Sequence, residues 1–195
     1  RAVLAAQPNF DEAWHQHGVI LAHVGHLEGG RHDIDRALQI NPGNTTARFR
    51  FGPINVYKQK FEDAIVALDR VPKDAFTAQW TYQRAWALIS LGRLADADRL
   101  VSGALAENRG DQGGVLHAAR AMLRATRGDR QGADTDVEEA VRVGRRFLHF
   151  HHTAYSLGAV YATLGDLDQA QEWIENAAKD GFPNYTYFES DLHLA

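Results

Sequence analysis

The chain has 195 residues, 24% of them charged, a net charge of −4 and no cysteine. That balance argues against a nucleic-acid backbone as partner, and the absence of thiols excludes disulfides and cysteine chemistry. No apolar run approaches the roughly 18 residues that would span a bilayer, so membrane insertion is not expected. No signal-peptide pattern is visible, and a cytoplasmic setting is favoured without being fixed.

Residues 1–10 place Val3 and Leu4 before Pro8, much as Ala37 and Leu38 precede Pro42 further along the chain. They read as a remnant or capping helix, and the register suggests that the chain is a piece of a longer protein. Residues 11–44 read as a helix pair with a turn at Gly25. Asn9 or Asp11 is placed to cap the first helix. Gly30 stands where the second helix would carry alanine; a helical glycine costs about 0.5–1 kcal/mol, so this pair is expected to be softer than its neighbours.

Residues 45–77 form the second pair. Pro53 falls inside its first helix, where it removes a hydrogen bond to the Phe49 carbonyl and costs about 3 kcal/mol in an ideal helix. That helix should kink or begin late. Residues 78–113 carry the cleanest pattern, AWALISLGRLADADRLVSGAL, followed by the linker-like run Gly110–Gly114. Residues 114–150 are the most polar. Arg124 and Arg130, with Asp134, Asp136, Glu138 and Glu139, read as solvated ion pairs on the convex side, each contributing about 0–1 kcal/mol.

Residues 151–182 give the pair around which the other units align. Leu157, Gly158, Tyr161 and Leu164 recur at helical spacing, Gly165-Asp166 breaks the pattern, and Leu167, Ala170, Trp173, Ile174 and Ala177 resume it. In residues 183–195, Pro183 forbids continuation of the helix. Phe182, Tyr185, Tyr187 and Phe188 are too many aromatics for a free tail. The segment is expected to cap the exposed face of the last pair, with a short helix near Tyr187.

The pairs keep one register. Gly165 steps back to Gly128, Gly92, Gln59 and Gly25 at nearly even spacing. Gly158 steps back to Ala121, Ala85, Gly52 and Gly18; Ile174 to Val137, Val101, Leu68 and Ile34; and the Ala170 and Ala177 rows keep the same spacing. A period of about 34 residues with two helices per unit marks a stacked helical array. The run Trp14, Gly18, Leu21, Gly25, Leu27, Ala37, Leu38, Pro42 closely resembles a tetratricopeptide repeat, and GDLDQA at 165–170 and KFEDAI at 60–65 resemble its turn and second-helix start. The resemblance covers nearly the whole chain. It implies an all-α, right-handed superhelical α-solenoid of about five antiparallel helix pairs with terminal capping segments. It also implies a concave face, lined by the first helix of each pair, that binds peptides or proteins.

The stripe of each first helix turned away from its partner is apolar and aromatic, which an ordinary surface helix would not be. The candidate partner-binding set on this face is His15, Val19, Phe49, Arg50, Tyr57, Tyr82, Gln83, Trp86, Ile89, Met122 and Tyr155. Large aromatics in a concavity suit peptide capture; their other reading is packing between neighbouring units. Family members that bind chaperone tails hold a terminal carboxylate with a lysine, asparagine and arginine clamp. Here His15, Val19, Arg50, Gln79 and Gln83 take those places. Only Arg50 and His15 suit a carboxylate, which argues against chaperone-tail recognition.

Of ten histidines, eight fall in two groups that compete for notice: His15, His17, His23, His26 and His32, and His149, His151 and His152. The N-terminal group would support an alternative function as a metal-binding sensor. His151 and His152 are adjacent and are expected to point apart, so no metal ligand set is assigned. No nucleophile–base pair or phosphate loop is present, and neither catalysis nor a cofactor is expected. The leading expectation is a non-enzymatic interaction scaffold; self-association through the N-terminal edge is the third reading.

Overall fold

The computed structural model describes residues 2–107 and 110–194; every regular element among them is helical. After the short α1 (Ala2–Ala6), five helix pairs follow one another. They are α2 (Asp11–His23) with α3 (Leu27–Ile40), the broken helix α4 (Thr45–Phe49) and α5 (Phe51–Tyr57) with α6 (Phe61–Asp69), and α7 (Thr77–Ser90) with α8 (Leu94–Ala106). Then come α9 (Val115–Thr126) with α10 (Arg130–Gly144), α11 (Phe150–Thr163) with α12 (Leu167–Lys179), and a last short helix α13 (Tyr185–Ser190). From the second unit on, each first helix packs on the next, α5 on α7, α7 on α9 and α9 on α11, so the molecule is an α-solenoid. Among the described residues no helix is long and apolar enough to cross a membrane.

The shared register has one physical cause. Gly25, Gly92, Gly128 and Gly165 all have positive φ, between 71° and 86°, and Gln59 follows them at 55°. At each of these five turns the next amide donates to the carbonyl five residues back: His26 to Leu21, Lys60 to Asn55, Arg93 to Leu88, Asp129 to Arg124 and Asp166 to Tyr161, all at 2.8–2.9 Å. This left-handed helix ending satisfies carbonyls that the first helix would otherwise orphan. Gln59 is the one non-glycine with positive φ among the described residues.

The first pair gives Gly30 a role that sequence alone read as a weakness. A Cβ on Gly30 would come within 2.8 Å of the Gly18 carbonyl oxygen, and one on Gly18 equally close to that of Gly30. The two glycines let the axes of α2 and α3 approach more closely than alanines would. In the second unit the helix breaks at Arg50, as Pro53 demands, because Pro53 has no amide for the Phe49 carbonyl. The expected cap of α2 is not there: Phe10 is the capping residue, without a side-chain bond. Asp11 instead accepts from Asn41 and Asn44 at 2.8 and 3.0 Å, tying the first unit to the second.

Two further expectations need correction. Asp136 is not a solvated convex charge but fully buried. It accepts from Arg120 Nε and Nη2, at 2.6–3.0 Å, and lies 3.2 Å from Arg124. A carboxylate facing two guanidinium groups can be buried because its lone pairs are filled. Arg130 does behave as foreseen: it is exposed and reaches Asp166 of the next unit at 2.6 Å.

The tail is the second correction. Phe182, Tyr187 and Phe188 do pack on α11 of the last pair, at His151 and Tyr155, but the segment is not confined to that pair and runs along the inner face of the array. Asn184 Nδ2 donates to the Ala22 carbonyl at 3.1 Å, the Tyr155 hydroxyl donates to Asp191, and Ser90 Oγ meets His193 Nε2 at 2.9 Å. The array curls tightly enough that the first and fifth units meet, with His23 Nε2 3.0 Å from His152 Nε2. Curl and tail together produce one large apolar cluster, from Val56 to Phe188. Smaller clusters surround Ile34 and Ile54, and Phe49, Leu68 and Trp80.

Candidate binding cavity on the inner face

The first helices deliver the predicted residues to the interior in two groups. Tyr82, Trp86 and Tyr155 lie beneath the tail. Trp86 is 1% exposed and meets the His193 ring edge-on at 5.3 Å. Tyr155 stacks on Phe188 at 5.0 Å. The Tyr82 hydroxyl shares a 2.8 Å hydrogen bond with Ser156 Oγ. Burial pushes both phenols above their ordinary pKa, so they stay neutral donors. Ile89 and Met122 are buried in the shared core and are not on the cavity wall described next. Their side chains bury the stacking surface between units.

The second group surrounds a cavity of about 170 Å³, walled by Val19, Phe49, Arg50, Tyr57 and Gln83 together with Ala22, Pro53, Ile54 and Gln79. His23, Phe147, His149 and His152 close it on the side of the fifth unit. The tail reaches its edge, where Tyr57 packs against Phe182 at 5.5 Å and Tyr187 at 5.0 Å. His15 is buried behind the wall, 3.4 Å from Arg50 Nε.

Two polar groups of this cavity are incompletely matched, one without a hydrogen-bond partner and one without a counter-charge. The Gln83 carboxamide oxygen is buried without a hydrogen-bond partner; such a group costs about 1–3 kcal/mol. The Arg50 guanidinium lies over the Phe49 ring at 5.8 Å, and among the described residues no carboxylate pairs with it. Burial, first of all, lowers its pKa below the usual arginine value. The break of the second unit's first helix at Arg50 puts this cation at the bend. His15 is held below the ordinary imidazole pKa by burial and then by Arg50, so it is a neutral neighbour rather than a second cation.

The histidines gather where the spacing did not suggest. His151 and His152 do not diverge: their rings are 4.5 Å apart and both face His23, at 5.9 and 4.9 Å between centroids. They meet because α11 starts there and the curl brings the end of α2 to it. Burial is the first cause that lowers all three pKa values, that of His151 to about 4. Among the described residues the other N-terminal histidines do not form such a group: His17 pairs with Asp33, and His32 lies 3.0 Å from that same carboxylate.

The sequence reading missed Asn184, Asp191 and His193, the polar anchors of the tail. The density of aromatics signalled that the tail docks, but not where. It also missed Arg120, a long cation on a first helix opposite Asp136 on the second.

The family model of the tetratricopeptide repeat matches residues 151–179. No curated protein matches the chain. Among solved structures, a thermophilic TPR protein of Thermus thermophilus is similar, with a TM-score of 0.66 and 20% identity over 94% of each chain. Cut9–Hcn1, an APC/C hetero-tetramer, gives a TM-score of 0.66 at 16% identity over 92% of this chain and 35% of that one. YrrB, described as a TPR protein with an unusual peptide-binding site, gives 0.53 at 16% identity over 97% of this chain and 95% of its own.

Proposed function

We propose that this chain, which has the fold of tetratricopeptide-repeat proteins and matches their family model over residues 151–179, is a protein-interaction scaffold whose inner face receives a peptide segment bearing a carboxylate. Proteins of this fold are generally scaffolds rather than enzymes. The observation that carries the reading is the cavity itself. Its Arg50 cation lacks an acidic partner and its Gln83 oxygen lacks a donor, within walls of Val19, Phe49, Pro53 and Tyr57. A carboxylate would complete Arg50, an adjacent peptide N–H would complete Gln83, and an apolar side chain would fill the rest. The docked tail supports the same idea, since it is a segment held on this face by aromatic stacking and hydrogen bonds. YrrB, which has the same fold, is described as having a peptide-binding site.

A random peptide library panned against the intact chain tests this. Selected peptides are expected to carry a carboxylate beside an apolar residue. Arg50→Gln should weaken their binding roughly 10- to 100-fold, the worth of a charge-assisted hydrogen bond of about 1.5–3 kcal/mol. Equal affinity of Arg50→Gln and the unmodified chain for the selected peptides would remove the cavity from the reading.

A further inference from the structure

The junction of the first and fifth units holds a cluster that the scaffold role does not use. His23 ends α2, and His151 and His152 stand in the first turn of α11, four units further along the chain. One ring nitrogen from each lies within 4.8 Å of the others. We propose that these three imidazoles bind a divalent transition-metal ion, zinc by preference, that clasps the two ends of the array.

The geometry supports this in four ways. His23 Nδ1 lies 2.9 Å from the Val19 carbonyl, which can only accept, so Nδ1 carries the proton and Nε2 keeps its lone pair. This is the outer hydrogen bond that fixes the tautomer of a metal-bound histidine. That Nε2 faces His152 Nε2 at 3.0 Å. Two nitrogens on a tetrahedral zinc, each about 2.0–2.1 Å from the ion, stand roughly 3.3 Å apart, so the pair needs little movement to admit the ion.

His151 supplies the third observation. Both of its ring nitrogens are buried with no hydrogen-bond partner; the Asp180 backbone lies near the ring but outside bonding geometry. A buried imidazole is normally satisfied, so one with neither nitrogen hydrogen-bonded within the protein, set beside two others, has a lone pair free to ligate a metal. Fourth, Phe182 packs on all three rings, at 5.9, 6.2 and 4.8 Å, and covers one side of the cluster. All-imidazole donors suit zinc, copper and nickel rather than magnesium or calcium. His23 and His152 also line the cavity of Arg50, so a coordination position left open on that side takes water or a small anion.

The test compares chelator-stripped protein with and without zinc chloride. Calorimetric titration should give one equivalent of zinc per chain. At roughly 100-fold excess over the dissociation constant the melting midpoint should rise by roughly 5–10 °C. Cobalt chloride should give the visible absorption of a four-coordinate ion.

His151→Ala is the decisive variant, because His151 has no hydrogen-bond partner to lose in the stripped protein. It should stay folded there, its midpoint lowered only by the lost packing on Phe182, and show no response to zinc. The double variant His26→Gln/His32→Gln, in the N-terminal group, should keep the full response. No zinc response in the unmodified chain, or a response retained in His151→Ala, overturns the proposal. Loss of the response in the His26/His32 variant overturns it equally, by moving the ligands elsewhere. Arg50→Gln leaves all three imidazoles in place, so failure of peptide capture and failure of zinc binding are separate results.

Discussion

Most buried apolar side chains downstream of Val56 form one cluster that reaches Phe188, with Leu68, Val71 and Trp80 set apart, whereas the first unit shares a small cluster around Ile34 and Ile54 with the start of the second. The difference follows from how well each region keeps the repeat. The third to fifth units place glycine at every left-handed turn and alanine at the second-helix crossing. The first two depart from it, with Gly30 for alanine, Pro53 inside a helix and Gln59 at the turn. Regular stacking satisfies its own polar groups, as the Asp136 ion pairs illustrate. Along the seam where the regular and irregular parts meet, Gln83 and His151 keep buried polar atoms without hydrogen-bond partners, and Arg50 has a neutral imidazole and an aromatic ring but no carboxylate beside it. Candidate ligands therefore belong at the seam and not within the regular stack.

The largest expected effect lies in the regular region. Asp136→Ala removes the fully buried carboxylate and leaves Arg120 and Arg124 facing each other across the space. Breaking a buried pair from one side costs about 3–5 kcal/mol. Both arginines keep partial contact with water, at 29% and 32% side-chain exposure, so the lower end, about 3 kcal/mol, is expected. Urea unfolding followed by tryptophan fluorescence and by helical signal measures it. The two signals should shift together, since Trp86 shares the cluster that Asp136 supports. A loss below about 1 kcal/mol would mean that the shared core does not depend on this pair.

The fold was legible because its determinants are local and periodic. A left-handed turn needs glycine whatever surrounds it, and a tight crossing needs a small residue, so both recur at the unit spacing. The inner face was legible as a set of first-helix positions, but not how closely those helices curl. That curl arises from many small rotations between units, none of which one repeat encodes. His151 and His152 illustrate the gap: sequence neighbours whose helical positions diverge still meet at one point once α2 arrives opposite them. Asp136 was misread for the same reason, since its partner Arg120 belongs to the other helix of the pair.

The middle effect lies on the seam. Asn184 is fully buried; its side chain caps α13 by accepting from the Tyr187 amide at 3.2 Å and donates to Ala22 at 3.1 Å. Asn184→Ala loses the cap and one of the two hydrogen bonds that the Ala22 carbonyl accepts, the other coming from the Gly25 amide at 3.2 Å. Together these cost about 1–3 kcal/mol. The tail should loosen before the array does, so limited proteolysis should cut near Tyr185 faster while the melt of the rest shifts by only a few degrees. Unchanged proteolysis at the tail would show that the aromatic contacts of Phe182, Tyr187 and Phe188 hold it alone.

The smallest effect runs in the stabilising direction, within the irregular region. Gln59 occupies the turn that the other four units give to glycine, at a φ of 55°. A side chain there carries a steric cost of about 1–2 kcal/mol that glycine avoids. Glycine returns part of that gain, because it loses more backbone freedom on folding. Gln59→Gly should therefore stabilise the chain by about 0.5–1 kcal/mol, a difference of those two terms. The turn's hydrogen bonds, Gln59 to Val56 and Lys60 to Asn55, use the backbone only, so the substitution leaves them intact. Amide exchange at Lys60 reports the change locally, and the urea midpoint reports it globally. Slower exchange at Lys60 with an unchanged rate at Asp166 would confine the gain to the second unit. Faster exchange would mean that the glutamine side chain supports this turn, and that the irregular half departs from the repeat to its own advantage.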